Sequence, residues 1–200
     1  QDLITSAREM NFNVHRFPSF MSVFAREYNY NKGKKGFFPE DEMAYQFLNY
    51  AITTCPNRMM RDWYQLNLDV TNILTAMLAR KNGWNVADYI KGDGEVQTMI
   101  KENKTHDFDL THEFDYVKQL MHEADPVRKE KMIDAFKGLW LGGRTFFDAR
   151  PIDAVFAYHC KLEMQYRWAR LDVETGKETF RQIIENLRSQ ARVPEEFIQK

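Results

Sequence analysis

Long hydrophobic runs are missing from this chain. No stretch of about eighteen consecutive apolar residues occurs, so no segment is expected to span a membrane directly. Cysteine is scarce: Cys55 and Cys160 are the only two. They form neither a disulfide framework nor a metal-binding spacing, and both read as reduced thiols of a cytoplasmic protein. Charge of one sign is not in excess, since 28 Lys and Arg face 29 Asp and Glu. No long basic run stands out, which excludes nucleic acid as a primary partner. Phosphate-cradling loops, nucleophile elbows and dinucleotide fingerprints are absent, and Gly92-Asp93-Gly94 is too short for such a loop and reads as a turn. The first thirty residues lack the pattern of a secretory leader. Because the chain opens on Gln1 and not on Met, it reads as trimmed or cut from something longer.

What is present describes a folded protein. Of 200 residues, 44% are hydrophobic, and 15 Phe, 9 Tyr and 4 Trp supply an aromatic core. That length suits a single domain, with two lobes at about 1–92 and 93–200 as the finer division. The central stretch is Leu66 to Gly83. Extended back to Trp63, its apolar residues are Trp63, Leu66, Val70, Ile73, Leu74, Met77 and Leu78, the three-four spacing of a buried helical stripe. Beside it runs a second row of Asp62, Gln65, Asp69, Asn72, Ala76 and Arg80. Asp and Asn are poor helix formers, so their place in mid-helix calls for hydrogen-bonding partners on a neighbouring segment or in water.

The remaining chain reads as helices separated by turns. Phe17, Phe20, Met21 and Phe24 form one face, with Pro18 suited to a first turn. A Gly- and Lys-rich loop, 29–38, follows. Its Lys32, Lys34 and Lys35 are the candidate partner-facing residues, because loops often carry function. Pro39-Glu40-Asp41-Glu42 opens a helix that ends near Cys55-Pro56, and the long helix runs from about Asn57 to Asn82 with Gly83 as its cap. A short turn at 85–91, a helix through Val96, Met99 and Ile100, and a polar link over 104–110 come next. Phe114, Val117, Leu120 and Met121 mark another helix, and Asp125-Pro126 caps a further one. Its expected stripe is Met132, Phe136, Leu139, Trp140, Gly143, Phe146 and Phe147, and Gly142-Gly143 implies a kink or a close crossing. Two apolar stripes from Ile152 to Leu171 place the next helix inside a bundle, and Phe180, Ile183, Ile184 and Leu187 mark an amphipathic last helix. No alternating strand pattern occurs. The expected fold is all-α, a multi-helix bundle of long amphipathic helices.

His106, Asp107, Asp109, His112, Glu113 and His122 invite a metal reading. The Glu-x-x-His of carboxylate-bridged bundles and the His-Glu-x-x-His of zinc proteases are both absent. No metal, cofactor or catalytic residue is therefore expected. A small metal-dependent bundle enzyme using His106, His112, Glu113 and His122 stands as an alternative, and a general helical interaction module as another. His159 and Glu163, four apart, are placed to pair, with His159 as a core polar group.

Three stretches carry a resemblance: NLDVTNILTAMLARKNG, HDFDL, and FFDARPIDAVFAYHCKLEMQYRWARLD. On them the chain resembles a bacterial family of unknown function encoded among V/A-type ATPase subunits in Bacteroides-like bacteria. Asp69-x-x-Asn72 with Ala79-Arg80-Lys81-x-Gly83, and later Glu163-x-x-x-Arg167 with Gly176, also resemble the helical signature of the funnel-shaped stalk adaptor of V/A-type ATPases, their C-type or d-type component. The resemblance implies a non-catalytic adaptor, held at the inner membrane through the complex, whose partners are the central-stalk subunits and the rotor ring. It implies that Asp69, Asn72, Arg80, Glu163 and Arg167 are polar contacts between helices. The funnel-shaped adaptor has three related bundles, which this chain is too short to hold, so an N-terminal portion is expected to be missing.

Overall fold

A computed structural model describes residues 17–34, 37–103, 105, 108, 110, 112–147, 150–171 and 173–190. Side chains are described for all of these except 113, 118, 121, 173–175 and 187–190. Among the described residues there are eight α-helices, three short 3-10 turns and no strand, so the fold is all-α. The helices are α1 (Ser19–Asn31), α2 (Pro39–Thr54), α3 (Arg58–Lys81), α4 (Glu95–Glu102), α5 (Asp115–Gln119), α6 (Pro126–Thr145), α7 (Pro151–Arg170) and α8 (Val173–Gln190). Contacts divide the chain into two compact units, Gln1–Ala149 and Arg150–Lys200. The Gly92–Gly94 turn lies inside the first.

Local chemistry accounts for the helix ends. Pro39 sits at the start of α2 with Glu40, Asp41 and Glu42 in the first turn, where carboxylates oppose the positive end of the helix dipole. Pro56 then stops the helix, because the residue before a proline resists helical geometry. Asn57 caps α3 by accepting the Met60 N–H at 2.9 Å. At the other end Gly83 adopts φ 69°, a left-handed conformation open to glycine. Trp84 N donates to Ala79 O and Gly83 N to Arg80 O, closing a Schellman motif. Asp125 caps α6 through the Val127 N–H. Pro18 departs from its expected place: it precedes α1 in extended geometry instead of lying in the first turn. Asn57→Ala is expected to lower stability by about 1 kcal/mol in urea denaturation, since the Met60 N–H loses its acceptor.

Helices α1, α2 and α3 pack in sequence, α2 against both of the others. Phe20 meets Phe47 and Tyr50, and Phe47 meets Tyr64 edge-on. Along α3, Trp63, Leu66, Val70 and Ile73 are buried as their spacing predicts. Further along, the pattern changes: Leu78 is exposed, whereas Ala76 and Ala79 are fully buried. The polar row beside the stripe is buried too at Asp69 and Asn72, so α3 is enclosed on two faces.

Three expectations need correction. The link at 104–110 reads as polar, yet Phe108 and Leu110 are buried, and the Arg80 guanidinium lies 3.6 Å from the Phe108 ring centre. On α6 the buried residues are Ile133, Phe136 and Leu141, while Leu139, Phe146 and Phe147 are exposed. Phe136 is buried as its spacing predicts, but Ile133 and Leu141 lie about 100° round the helix from the expected Met132 and Trp140, which are half-buried. A Cβ on Gly143 would meet nothing within 4 Å, so no close crossing occurs at that residue among the described residues. Finally, among the described residues of its own unit α7 is not enclosed on most sides. Ala157 is buried and Phe156, Cys160, Met164 and Trp168 are half-buried, but Ile152, Val155, Tyr158, Leu162 and Tyr166 face water. His159 is exposed with them and is not a core group.

Candidate functional site

The polar row of α3 is the feature most like a site, and Asp62, Asp69, Asn72 and Arg80 each tie α3 to a different part of the chain. Asp62 lies 3.9 Å from Arg58 one turn earlier and 3.6 Å from Arg144 on α6. Arg144 in turn lies over the Trp140 ring, which contacts Trp63 of α3. Asp69 Oδ1 accepts from Gln65 Nε2 at 2.8 Å and from Gln97 Nε2 of α4 at 2.7 Å. Asn72 grips the backbone of Lys91 at both groups, donating to its carbonyl and accepting its N–H, each at 2.9 Å. Ala76 leaves room for close packing. Arg80 donates to the carbonyls of Asn103 and Thr105.

Lys91 is the point where these ties converge. Its backbone is held by Asn72, and its ammonium donates to Glu42 of α2 at 2.7 Å. Burial pushes the Glu42 carboxyl up, but hydrogen bonds from Gln46 and Lys91 and the Lys91 charge outweigh it, so the net shift is downward from 4.5. A carboxylate with a depressed folded pKa contributes stability above its unfolded pKa and loses it as pH falls through the folded value. Wild-type protein is therefore expected to lose this contribution below about pH 4.5. Glu42→Gln should be less stable at neutral pH by about 1–2 kcal/mol and fall less steeply with acid. Urea melts at neutral and acidic pH check both.

Two clefts flank the row. One, of about 550 Å³, lies among α3, the start of α4 and α6, between Asp62, Asp69, Glu95, Trp140 and Arg144. Against its Gly94 wall sits Gln97, fully buried, with Oε1 lacking a partner among the described residues. A Cβ at position 94 would come within 2.5 Å of that oxygen, so the glycine is what lets Gln97 reach Asp69. The other cleft, of about 390 Å³, lies between α2, α3 and the turn at 84–91 and is mostly apolar. Trp84 stacks on Tyr89 along it, with ring centres 5.4 Å apart.

Glu163 is exposed on α7 and has no hydrogen bond or ion pair among the described residues, including none with His159. Arg167 is exposed and lies 5.4 Å from the Trp168 ring. Lys32 and Lys34 bond locally to Asn29 and Asn31, and Lys35 lies outside the described residues. His112 pairs with Asp115 at 2.9 Å, and His122 is exposed. His106, Asp107, Asp109 and the Glu113 side chain lie outside the described residues. Among the described residues no group of three His, Cys, Asp or Glu is placed to hold a metal. Both cysteines are free thiols, and burial pushes that of Cys160 up. No helix among the described residues is long and apolar enough to cross a membrane.

Sequence reasoning missed Gln97, Glu42 and Lys91. Each sits in a short or helix-end segment where no periodicity marks a buried polar group. No curated protein and no solved structure matches this chain. A model for a family described as "Protein of unknown function (DUF2764)" does match, over residues 1–191, and the chain belongs to that family.

Proposed function

We propose that this protein is a non-catalytic helical adaptor of a V/A-type ATPase, linking the central stalk to the membrane rotor ring. The observation that carries the reading is the open apolar seam of α7. Ile152, Val155, His159, Leu162 and Tyr166 alternate three- and four-residue steps, the a/d spacing by which one helix takes another, and all five are exposed. On α8, Phe180 and Ile183 are exposed as well. Apolar side chains repeated along one helix face mark an interaction surface. The likeness of Asp69-x-x-Asn72 with Ala79-Arg80-Lys81-x-Gly83, and of Glu163-x-x-x-Arg167 with Gly176, to the helical signature of the funnel-shaped stalk adaptor supplies the partner. In this account the α3 row is scaffold, since its groups are occupied in holding other segments.

The test is capture of the full-length protein from native membranes, with partners identified by mass spectrometry. Co-recovery of rotor-ring and central-stalk subunits, lost when the complex is disrupted, is the expected result. Recovery of no ATPase component would sink the proposal. The seam would then belong to an interaction module with an unrelated partner.

A further inference from the structure

We propose that the cleft between α2, α3 and the turn at 84–91 binds a small organic ammonium ion with an apolar body. Three observations converge. The walls are aromatic and aliphatic, with Phe38, Tyr45, Trp84 and Tyr89 among the lining, and such rings attract a cation by their faces. Trp84 and Phe38 remain about half exposed at 49% and 55%, so a guest has large ring surface to cover.

The rim carries negative charge. Asp41 and Asp88 line the cleft, are exposed, and have no ion-pair partner among the described residues; Asp88 accepts only the Asn85 amide at 2.9 Å. The single cationic side chain among the described lining residues, Lys91, is already held by Glu42 at 2.7 Å.

Two polar side chains of the lining, Asn72 and Thr71, are already engaged. Asn72 spends both ends of its amide on Lys91, and Thr71 donates to Asn67 O. A cation entering the cleft finds carboxylates and ring faces. The field has the same sign at Tyr45, whose phenol is pushed up by burial and then by the charges of Asp93 and Glu42.

The experiment titrates the full chain with phenethylammonium chloride by calorimetry, with 2-phenylethanol and phenylacetate as neutral and anionic counterparts. Heteronuclear NMR follows the Trp84 indole. The ammonium ion is expected to bind in the millimolar range and to shift Trp84. The alcohol should bind about tenfold more weakly, as expected for a cation held by rings and carboxylates, and the anion more weakly still. Asp41→Asn with Asp88→Asn should weaken the ammonium ion about tenfold, while Glu102→Gln, away from the cleft, should not. Both aspartates are exposed, so the variants are expected to keep the wild-type near-UV spectrum. Trp84→Leu is a second variant with the same expected loss. Equal binding of ammonium and alcohol would overturn the proposal. So would shifts away from Trp84, an unchanged affinity in the aspartate variant, or no binding up to the salt's solubility limit.

Discussion

Asp69→Ala is expected to destabilise the protein by about 3–4 kcal/mol, read from the urea midpoint at constant slope. The cost arises mainly at Gln97, which is fully buried and donates to Asp69 at 2.7 Å. Its Oε1 already lacks a partner, so losing the carboxylate leaves the whole amide unsatisfied in the interior. Gln65, half-buried, can turn to water and contributes less. Asp69→Asn keeps one acceptor and should cost about 1 kcal/mol. Replacing both partners, Asp69→Leu with Gln97→Met, removes the polar requirement and should come within about 1 kcal/mol of wild type. A double-mutant cycle showing no coupling between positions 69 and 97 would contradict this assignment.

Asn72→Ala is expected to cost about 2–3 kcal/mol. Alanine leaves both the N–H and the carbonyl of Lys91 without the partners they now have at 2.9 Å. Because Lys91 also carries the contact to Glu42, loosening its backbone should reduce the stabilising effect of that ion pair. The loss in Asn72→Ala with Glu42→Gln is therefore expected to be less than the sum of the two single losses. Asn72→Asp should not rescue the site, since a carboxylate keeps the acceptor for the N–H but faces the Lys91 carbonyl with a second oxygen. A variant that melts as wild type would show that Lys91 is held by other means.

Much of the fold was legible because its punctuation is chemical. Pro39, Pro56, Asn57, Gly83 and Asp125 act through φ restriction, missing donors or side-chain caps, which do not depend on tertiary context. The mid-helix Asp69 and Asn72 were legible as residues needing partners, but their partners were not. Gln97 and Lys91 are ordinary polar residues until α4 and the turn at 84–91 are placed beside α3. Helix faces were less legible where a segment has more apolar positions than it can bury. On α6, Leu139 and Ile133 are equally hydrophobic, and only packing decides that Ile133 goes inside. On α7 two apolar stripes implied burial on most sides, yet most of one stripe is exposed among the described residues. Phe108 was hidden because its neighbours in HDFDL are polar.

The α7 seam as partner surface and the α3 row as scaffold together make the central claim. The most direct test repeats the membrane capture with Val155→Asp and Leu162→Asp combined, beside wild type. Both side chains are exposed, so the variant should keep the wild-type circular dichroism spectrum and melting temperature. Wild type is predicted to recover rotor-ring and central-stalk subunits, and the folded variant to recover neither. Equal recovery of those subunits by the two proteins would contradict the claim.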